Sequence, residues 1–544
     1  MKVRLSFFLS TLLAYSAYCV PARYLVVGGG QSAMRSPVTF ENHVRLLRQT
    51  LVENGTHPTL SRLLFGNGNG QVPDDVSEPI PNFSNDEYLF ARLFSNGDLP
   101  THVTTRRHRL GLVTGPLTQR AVVAELRSAV SDALRHRPLR FFFSGNGDHA
   151  RNIAPSPERE AVALPHRSVQ RAMVMLSTNT EHRVERESTS LPIGQATDAE
   201  TRLYRRNFLE LLGRDKLDVV EFSGLLDGSP LERPVQVVMS QCYSGGFAQL
   251  NYRGGIPTNE LSPARRCGFF ATVPSRFSAR CLPDFSERPD YAAHFLWALR
   301  GRNNDGDRIL ADYDRDGRVG SAEAHAYAVL HADSIDLPVT TSSQLLREQG
   351  FRITSEELDR LATWFREVTT EVSDFAVLVG LGRDLRYDFL ASSVPPLRLV
   401  RRHIRTNVER AERTLRDLRQ LRERLNRLTG ELRATLTLAH PILSEPYPRG
   451  DRAIAARVRV QTAREAATDH RIFPQLRTLY QQGTEKMSEL LSLERQTAKW
   501  ERLGYLLETK ILENRLRGNR DKRVQWARYQ QLKQCEREPF LITE

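Results

Sequence analysis

The run Val235–Leu250, VQVVMSQCYSGGFAQL, constrains the fold more than any other stretch. Val235–Met239 is short, apolar and β-branched, the pattern of a strand buried on both faces. Ser240, Gln241, Cys242, Tyr243, Ser244, Gly245 and Gly246 follow at once. Such a strand belongs in a parallel sheet covered by helices, and these sheets place ligands beyond the carboxyl ends of their strands. Cys242 is therefore a candidate nucleophile, given a base to ionise it. A buried cysteine is also commonly just a small apolar residue, and the stretch alone leaves both readings open. Gly245 and Gly246 allow a sharp turn and close approach of a bound chain.

Other segments supply companions for that strand. Arg23–Val27 reads as a strand ended by Gly28, Gly29 and Gly30. Thr39 opens a helix with Val44, Leu47 and Leu51 on one side, and Leu60–Phe65 is the next strand, a βαβ opening. With Ala33 the glycines loosely match a dinucleotide-binding turn. Ser36-Pro37 interrupts the helix that should follow, and no acidic residue follows the second strand to hold a ribose, so that match is set aside. Gln71–Thr105 reads as an irregular surface excursion, Gln119–His136 as an amphipathic helix, and Leu139–Phe143 as the third strand, followed by turn residues Ser144–Asn152. The polar stretch Arg151–Leu217 holds a helix near Ala199–Leu212, and Cys267–Val273 is a fifth strand. The fold class is α/β, a mostly parallel sheet flanked by helices. It places His149 and Cys242 at strand ends on one sheet edge, where an imidazole can reach a thiol.

Four segments, YLVVGGGQS with FENHV, FFFSGNGDHARN, VVMSQCYSGGFA and CGFFATVPSRFSARCLPD, resemble the caspase/legumain-like cysteine peptidases. The bacterial, exported, legumain-related members are the most similar, over roughly Arg23–Leu330. The resemblance implies a caspase-like fold, a polypeptide substrate, Cys242 as nucleophile and His149 as proton donor to the leaving amine. It implies an oxyanion site at the backbone N–H of Cys242 and of Ala150, or of Gly147 in an alternative register. Ser240, Gln241, Thr272 and Ser275 are the candidates to line the substrate pocket. The histidine motif departs from the family. Read as Ser-Gly-His-Gly, it has Asn146 where the histidine belongs, and the chain becomes a catalytically inactive scaffold. Read as Asp-His-Gly, Asp148-His149-Ala150 keeps the histidine and alters only the glycine.

Asp312-Tyr-Asp314-Arg-Asp316-Gly317-Arg318-Val319-Gly-Ser-Ala-Glu323 matches the twelve-residue EF-hand loop at each diagnostic position. Asp312, Asp314, Asp316 and Glu323 supply carboxylates, Arg318 its carbonyl, and Gly317 the turn. One structural Ca²⁺ is expected. Asn304, Asp305 and Asp307 read as plain loop rather than a second site.

The ends of the chain differ in character. Met1–Ala22 has the form of a secretory signal, with Lys2 and Arg4 ahead of an apolar run too short to span a bilayer. An exported protein, periplasmic or at the cell surface, is expected. No later apolar run is long enough for a transmembrane helix. Without Cys19, four cysteines remain; Cys267 could pair with Cys281, leaving Cys242 free, a point the sequence leaves open. Beyond a peptidase-like domain (23–335) and a helical connector (336–395, with helices over Ser342–Val368), residues 396–544 form a basic helical domain. The whole net charge of +13 falls within it. Ile404, Val408, Ala411, Leu415, Leu418, Leu425 and Leu432 recur at 4-3 spacing, interrupted by Arg422 and Thr429. Prolines 441, 446 and 448 end that helix, and Arg452–His470 and Glu485–Arg515 supply others, so an antiparallel hairpin or small bundle is expected. Its arginine-rich faces read as solvated sides. No zinc spacing or RNA-binding aromatic motif accompanies them, and no nucleic-acid partner is expected; an envelope or protein partner would dock through this region.

Overall fold

The computed structural model describes residues 20–69, 75–79, 89, 103–149, 207–279, 288–351, 353, 371–387, 396–439 and 461–542. Within these, β1 (Arg23–Gly29), α1 (Val38–Glu53) and β2 (Ser61–Phe65) form the expected strand–helix–strand unit. Residues 1–19 of the signal-like segment and Cys281 lie outside the described residues, as do Ala150, residues 151–206 of the polar stretch and residues 354–368 of the helices expected over Ser342–Val368.

The described residues of the expected excursion include two strands. β3 (Val76–Pro79) and β4 (Val103–Arg106) pair antiparallel in a small separate sheet. α2 spans Gln119–Val130, capped by the Thr118 side chain, and stops short of His136. β5 (Leu139–His149) is twice as long as expected. Its first half pairs parallel with β1, and Asn146–His149 continue as a strand paired antiparallel with β6 (Asn207–Glu210), which in turn pairs with β7 (Lys216–Asp218). The glycines that suggested a turn serve close packing instead. A Cβ on Gly145 would lie 2.6 Å from the Gly29 carbonyl, and one on Gly147 would lie 2.6 Å from the carbonyl of Cys242. Asn207–Glu210, expected to be helical, is a strand because this extension offers it a ladder.

α3 (Val219–Asp227) leads to β8 (Val235–Met239), the strand that precedes Cys242, and β9 (Arg266–Phe270) follows. α4 (Tyr291–Arg300), α5 (Ser321–His331), β10 (Val339–Thr340) and α6 (Thr341–Arg347) complete the body. The strand order is β10-β9-β8-β5-β1-β2, parallel except for β10. Both faces are covered. Val26, Phe142, Val238 and Phe269 point toward α1, α4 and α5, while Val27, Phe141, Val237 and Phe270 point toward α2 and α3. The architecture is thus mixed α/β with a mostly parallel, doubly covered sheet.

α7 (Val372–Asp384) precedes two long helices, α8 (Pro396–Ala439) and α10 (Phe473–Gly518), with α9 (Gln461–Thr468) between them. α8 and α10 form an antiparallel hairpin. Ile404 and Val408 meet Leu503 and Leu507, Leu415 and Leu418 meet Leu490 and Leu493, and Leu432 meets Phe473 and Leu476. Each apolar position of the 4-3 seam is buried.

The division at Pro396 is not a packing boundary. α11 (Arg523–Arg537) and the residues after it return to the amino edge of the sheet. Tyr24, Arg140, Gln236 and Cys267 stand in register on four adjacent strands. All four grip the tail. The Tyr24 hydroxyl donates to the Phe540 carbonyl at 3.2 Å and accepts from the Ile542 N–H at 3.1 Å. Arg140 donates to the Pro539 carbonyl at 3.1 Å, and Gln236 donates to the carbonyls of Cys535 and Glu538 at 2.6 and 3.0 Å. Cys267 is joined to Cys535 by a disulfide with Cα atoms 6.0 Å apart. Phe540 is fully buried in the core of the α1 face.

The Cys267–Cys535 bond closes a loop of 268 residues. Replacing both cysteines by alanine is expected to lower unfolding stability by about 3–5 kcal/mol, measured by urea denaturation. An unchanged midpoint would show that the tail is not part of the cooperative unit.

Candidate functional site

At the carboxyl edge, β8 ends in the tight turn Ser240–Tyr243. Tyr243 has φ +58°, a left-handed conformation that costs a non-glycine residue about 1–2 kcal/mol. Tertiary contacts hold it there. Its N–H donates to the Arg276 carbonyl at 2.8 Å, and the buried Asn207 side chain donates to the carbonyls of Tyr243 and Pro274 at 2.8 and 2.9 Å. Gly245 and Gly246 are needed here for close packing within the chain. A Cβ on Gly245 would lie 2.6 Å from the Thr272 carbonyl, and one on Gly246 would collide with Asn207.

Cys242 is 1 % exposed, and its Sγ accepts from the Ser278 N–H at 3.2 Å. The sulfur is oxidised in a disulfide whose other half lies outside the described residues. The cysteine arrangement therefore differs from the one considered from sequence. Cys267 pairs with Cys535, which the folded tail brings beside it, and Cys242 is not a free thiol in this state.

The structure places the residues of the two registers, Asn146 and His149, on opposite sides of β5. Side chains alternate along β5, so Gly147 and His149 share the side that packs on the turn. The His149 ring lies 4.5 Å from the Tyr243 ring, and its Nδ1 is 3.3 Å from Asp148 Oδ1. Asn146 points the other way, donating to the Arg35 carbonyl at 2.7 Å. Phe277 lies against the far side of the turn, with its ring 5.0 Å from Tyr243.

Of the four residues expected to line a pocket, three are held by contacts within the chain. Ser240, Gln241 and Thr272 are buried. Ser240 Oγ donates to the Phe143 carbonyl, Gln241 lies 3.7 Å from the Met239 sulfur, and the Thr272 backbone is tied to the Ser244 hydroxyl. Only Ser275 reaches solvent, and it is half-buried.

α10 forms a floor beneath this edge, and no sequence signal pointed to it. Glu501 pairs with the buried Arg276, and Arg502 donates to four carbonyls, of Val329, Ala332, Ser334 and Asp336. Glu494 is fully buried beside Arg276 and Glu501, and neither carboxylate oxygen has a hydrogen-bond partner among the described residues. Burial pushes its pKa well above the usual range. Glu508, also buried, is pushed up to about 8 by desolvation, offset in part by Arg347 and Arg401.

A second constellation lies inside the body. Ser144 Oγ is 2.8 Å from His43 Nδ1, and His43 Nε2 is 3.0 Å from Asp290 Oδ1. The order is that of a nucleophile–base–acid chain. Ser144 is 0 % exposed, however, and Asp290 also caps α4 through the Ala293 N–H, so the chain acts as a buried tie between β5, α1 and α4.

In the acidic loop, Asp312, Asp314 and Glu323 bring one oxygen each to within 4.8 Å of one another. Arg315 and Gly317 take positive φ, and the Gly317 N–H donates to Asp312 Oδ2 at 3.1 Å. Asp312 Oδ1 is buried with no hydrogen-bond partner among the described residues. Burial raises the Glu323 pKa, opposed by backbone N–H donors and reinforced by the charge of Asp314. Asp316 stands outside this convergence and accepts from the Arg318 N–H. Asn303 ties the neighbouring turn by accepting from the N–H groups of Asp305 and Asp307.

Glu494 and Glu508 have folded pKa values above their unfolded ones. Their stabilising contribution is complete below about pH 4.5 and is lost as pH rises through the folded value, about 8 for Glu508. The urea midpoint is expected to fall between pH 5.5 and 8.5, and Glu494→Gln with Glu508→Gln is expected to flatten that fall. An equal slope in the variant would remove these groups as its cause.

Compared with models of known protein families and with curated proteins, the chain finds no match.

Proposed function

We propose that the chain is an exported cysteine endopeptidase of the caspase/legumain-like kind, latent while Cys242 is oxidised. The observation that carries this reading is the pairing of β5 with β8, which seats the His149 imidazole against Tyr243, the residue after Cys242. The orientation of Asn146 toward Arg35 supports the register in which the histidine is retained. A strand order of β2-β1-β5-β8-β9 with an antiparallel β10 is compatible with the caspase-like fold that the motifs imply. A disulfide at Cys242 and another at Cys267 suit an oxidising compartment, in keeping with export.

With Cys242 reduced, its thiolate would attack a peptide carbonyl and His149 would pass a proton to the departing amine. The backbone N–H of Cys242, with that of Gly147 or Ala150, would bind the oxyanion. A second reading, a non-catalytic scaffold of the same fold, is favoured by the disulfide and by the 1 % exposure of Cys242. In that reading Cys242 serves only to brace the turn.

The two are separated by treating the purified protein with a dithiol and then with a peptide-like electrophile, and locating the adduct by mass spectrometry. Rapid labelling at Cys242 after reduction, abolished by His149→Ala and retained in Asn146→Ala, is the expected result. Labelling no faster than that of an ordinary thiol, in protein shown to be reduced and folded, would sink the peptidase reading.

A structural Ca²⁺ in the 312–323 loop belongs to the same proposal. The unpartnered Asp312 Oδ1 and the converging Asp314 and Glu323 oxygens fit a hard, oxygen-preferring cation, with Asp316 and the Arg318 carbonyl as further donors by spacing. The ion would offset the repulsion among these carboxylates. It would also brace the tail, because Ser321, just past Gly320, donates its hydroxyl to the Glu538 carbonyl at 2.8 Å. Adding Ca²⁺ is expected to raise the melting temperature of the wild type and to leave Asp312→Asn unmoved. A wild type that gains no stability and retains no Ca²⁺ after desalting would refute the site.

A further inference from the structure

α8 carries twelve arginines against five acidic residues, a net +7 of the chain's +13 on 44 residues. Its apolar seam, interrupted by Arg422, faces α10, and exposed arginines line the opposite side. Two rows repeat every eleven residues: Arg402, Arg413 and Arg424, and beside them Arg405, Arg416 and Arg427. Eleven residues are close to three helical turns, so each row runs nearly straight along the rod for about 33 Å. All six are exposed, and none makes an ion pair or side-chain hydrogen bond among the described residues. Glu409, Glu412 and Glu423 share the face without neutralising it, and Asp417 is engaged by Lys486.

We propose that this face of α8 is a docking surface for an anionic phospholipid bilayer. Guanidinium groups match phosphate oxygens, and a straight double row can meet a flat charged surface along its whole length. The edges of a nucleic-acid groove wind away from such a rod. α8 also contains no Phe, Tyr or Trp to stack on bases, and its His403 ring is stacked on Trp500 of α10. The face lacks an apolar stripe, so the helix adsorbs to headgroups and does not insert. Binding is therefore electrostatic and falls with salt.

The test is co-sedimentation of full-length protein with phosphatidylcholine vesicles, with and without about 30 % phosphatidylglycerol. Two variants are compared. One carries Arg402→Gln, Arg405→Gln, Arg413→Gln and Arg416→Gln; the other carries Arg120→Gln, Arg127→Gln, Arg214→Gln and Arg253→Gln, exposed arginines of the body. Both lose the same net charge. Binding to the anionic vesicles only, reduced by about fivefold per arginine in the α8 variant, little changed in the body variant and abolished at high salt, is the expected result. Equal losses in both variants, absence of binding to anionic vesicles, or capture of duplex DNA in preference to vesicles would each overturn the proposal.

Discussion

The grip of four adjoining strands on the tail is the contact on which the rest of the structure depends. Backbone carbonyls that end up inside a protein must find donors. Those of Cys535, Glu538, Pro539 and Phe540 find them on Gln236, Arg140 and Tyr24, side by side across the amino edge of the sheet. Arg140 is itself fully buried, and its guanidinium is tolerable there because a carbonyl and the Glu538 carboxylate face it. With α11 held in this way and cross-linked at Cys267, the hairpin is not a free appendage. Its long second helix is pressed along the body and contributes Glu494, Glu501 and Arg502 to the floor of the opposite edge.

That floor changes the character of the Cys242 turn. A left-handed tyrosine, two glycines without room for a Cβ, and a buried asparagine clamping two carbonyls describe a turn held by its surroundings. Such rigidity suits a preorganised nucleophile. It suits a structural disulfide equally well, and the reactivity of one sulfur after reduction separates the two proposed readings.

The acidic loop and the tail meet at Ser321. Its hydroxyl lies between the Gln236 side chain and the Glu538 carbonyl, so the start of α5, β8 and the tail share one hydrogen-bonded junction. Glu323, two residues on, also accepts from the N–H of Tyr313, Asp314 and Gly320, tying the loop to the same helix.

Much of the architecture was legible in the sequence because it follows from short-range patterns. Apolar, β-rich runs at Arg23, Leu139, Val235 and Cys267 read as buried strands, and the 4-3 seam from Ile404 to Leu432 reads as a helix packed against another. The coincidence of Cys242 and His149 on one edge followed from that strand count. What the chain alone could not decide depended on partners distant in sequence. Gly145 and Gly147 looked like turn residues, but they lie in a strand, because Asn207–Glu210 pairs with it and neighbouring backbones approach too closely for a Cβ. Cys267 found Cys535 across 268 residues, and Arg276 found Glu501 on a helix that composition had assigned to a separate domain. Periodicity records which face of an element is apolar, and that suffices for strands and helices. It carries no record of which distant carbonyl, sulfur or carboxylate will lie opposite a given side chain, and those meetings settled the pairing of the cysteines, the side on which His149 stands and the place of the tail.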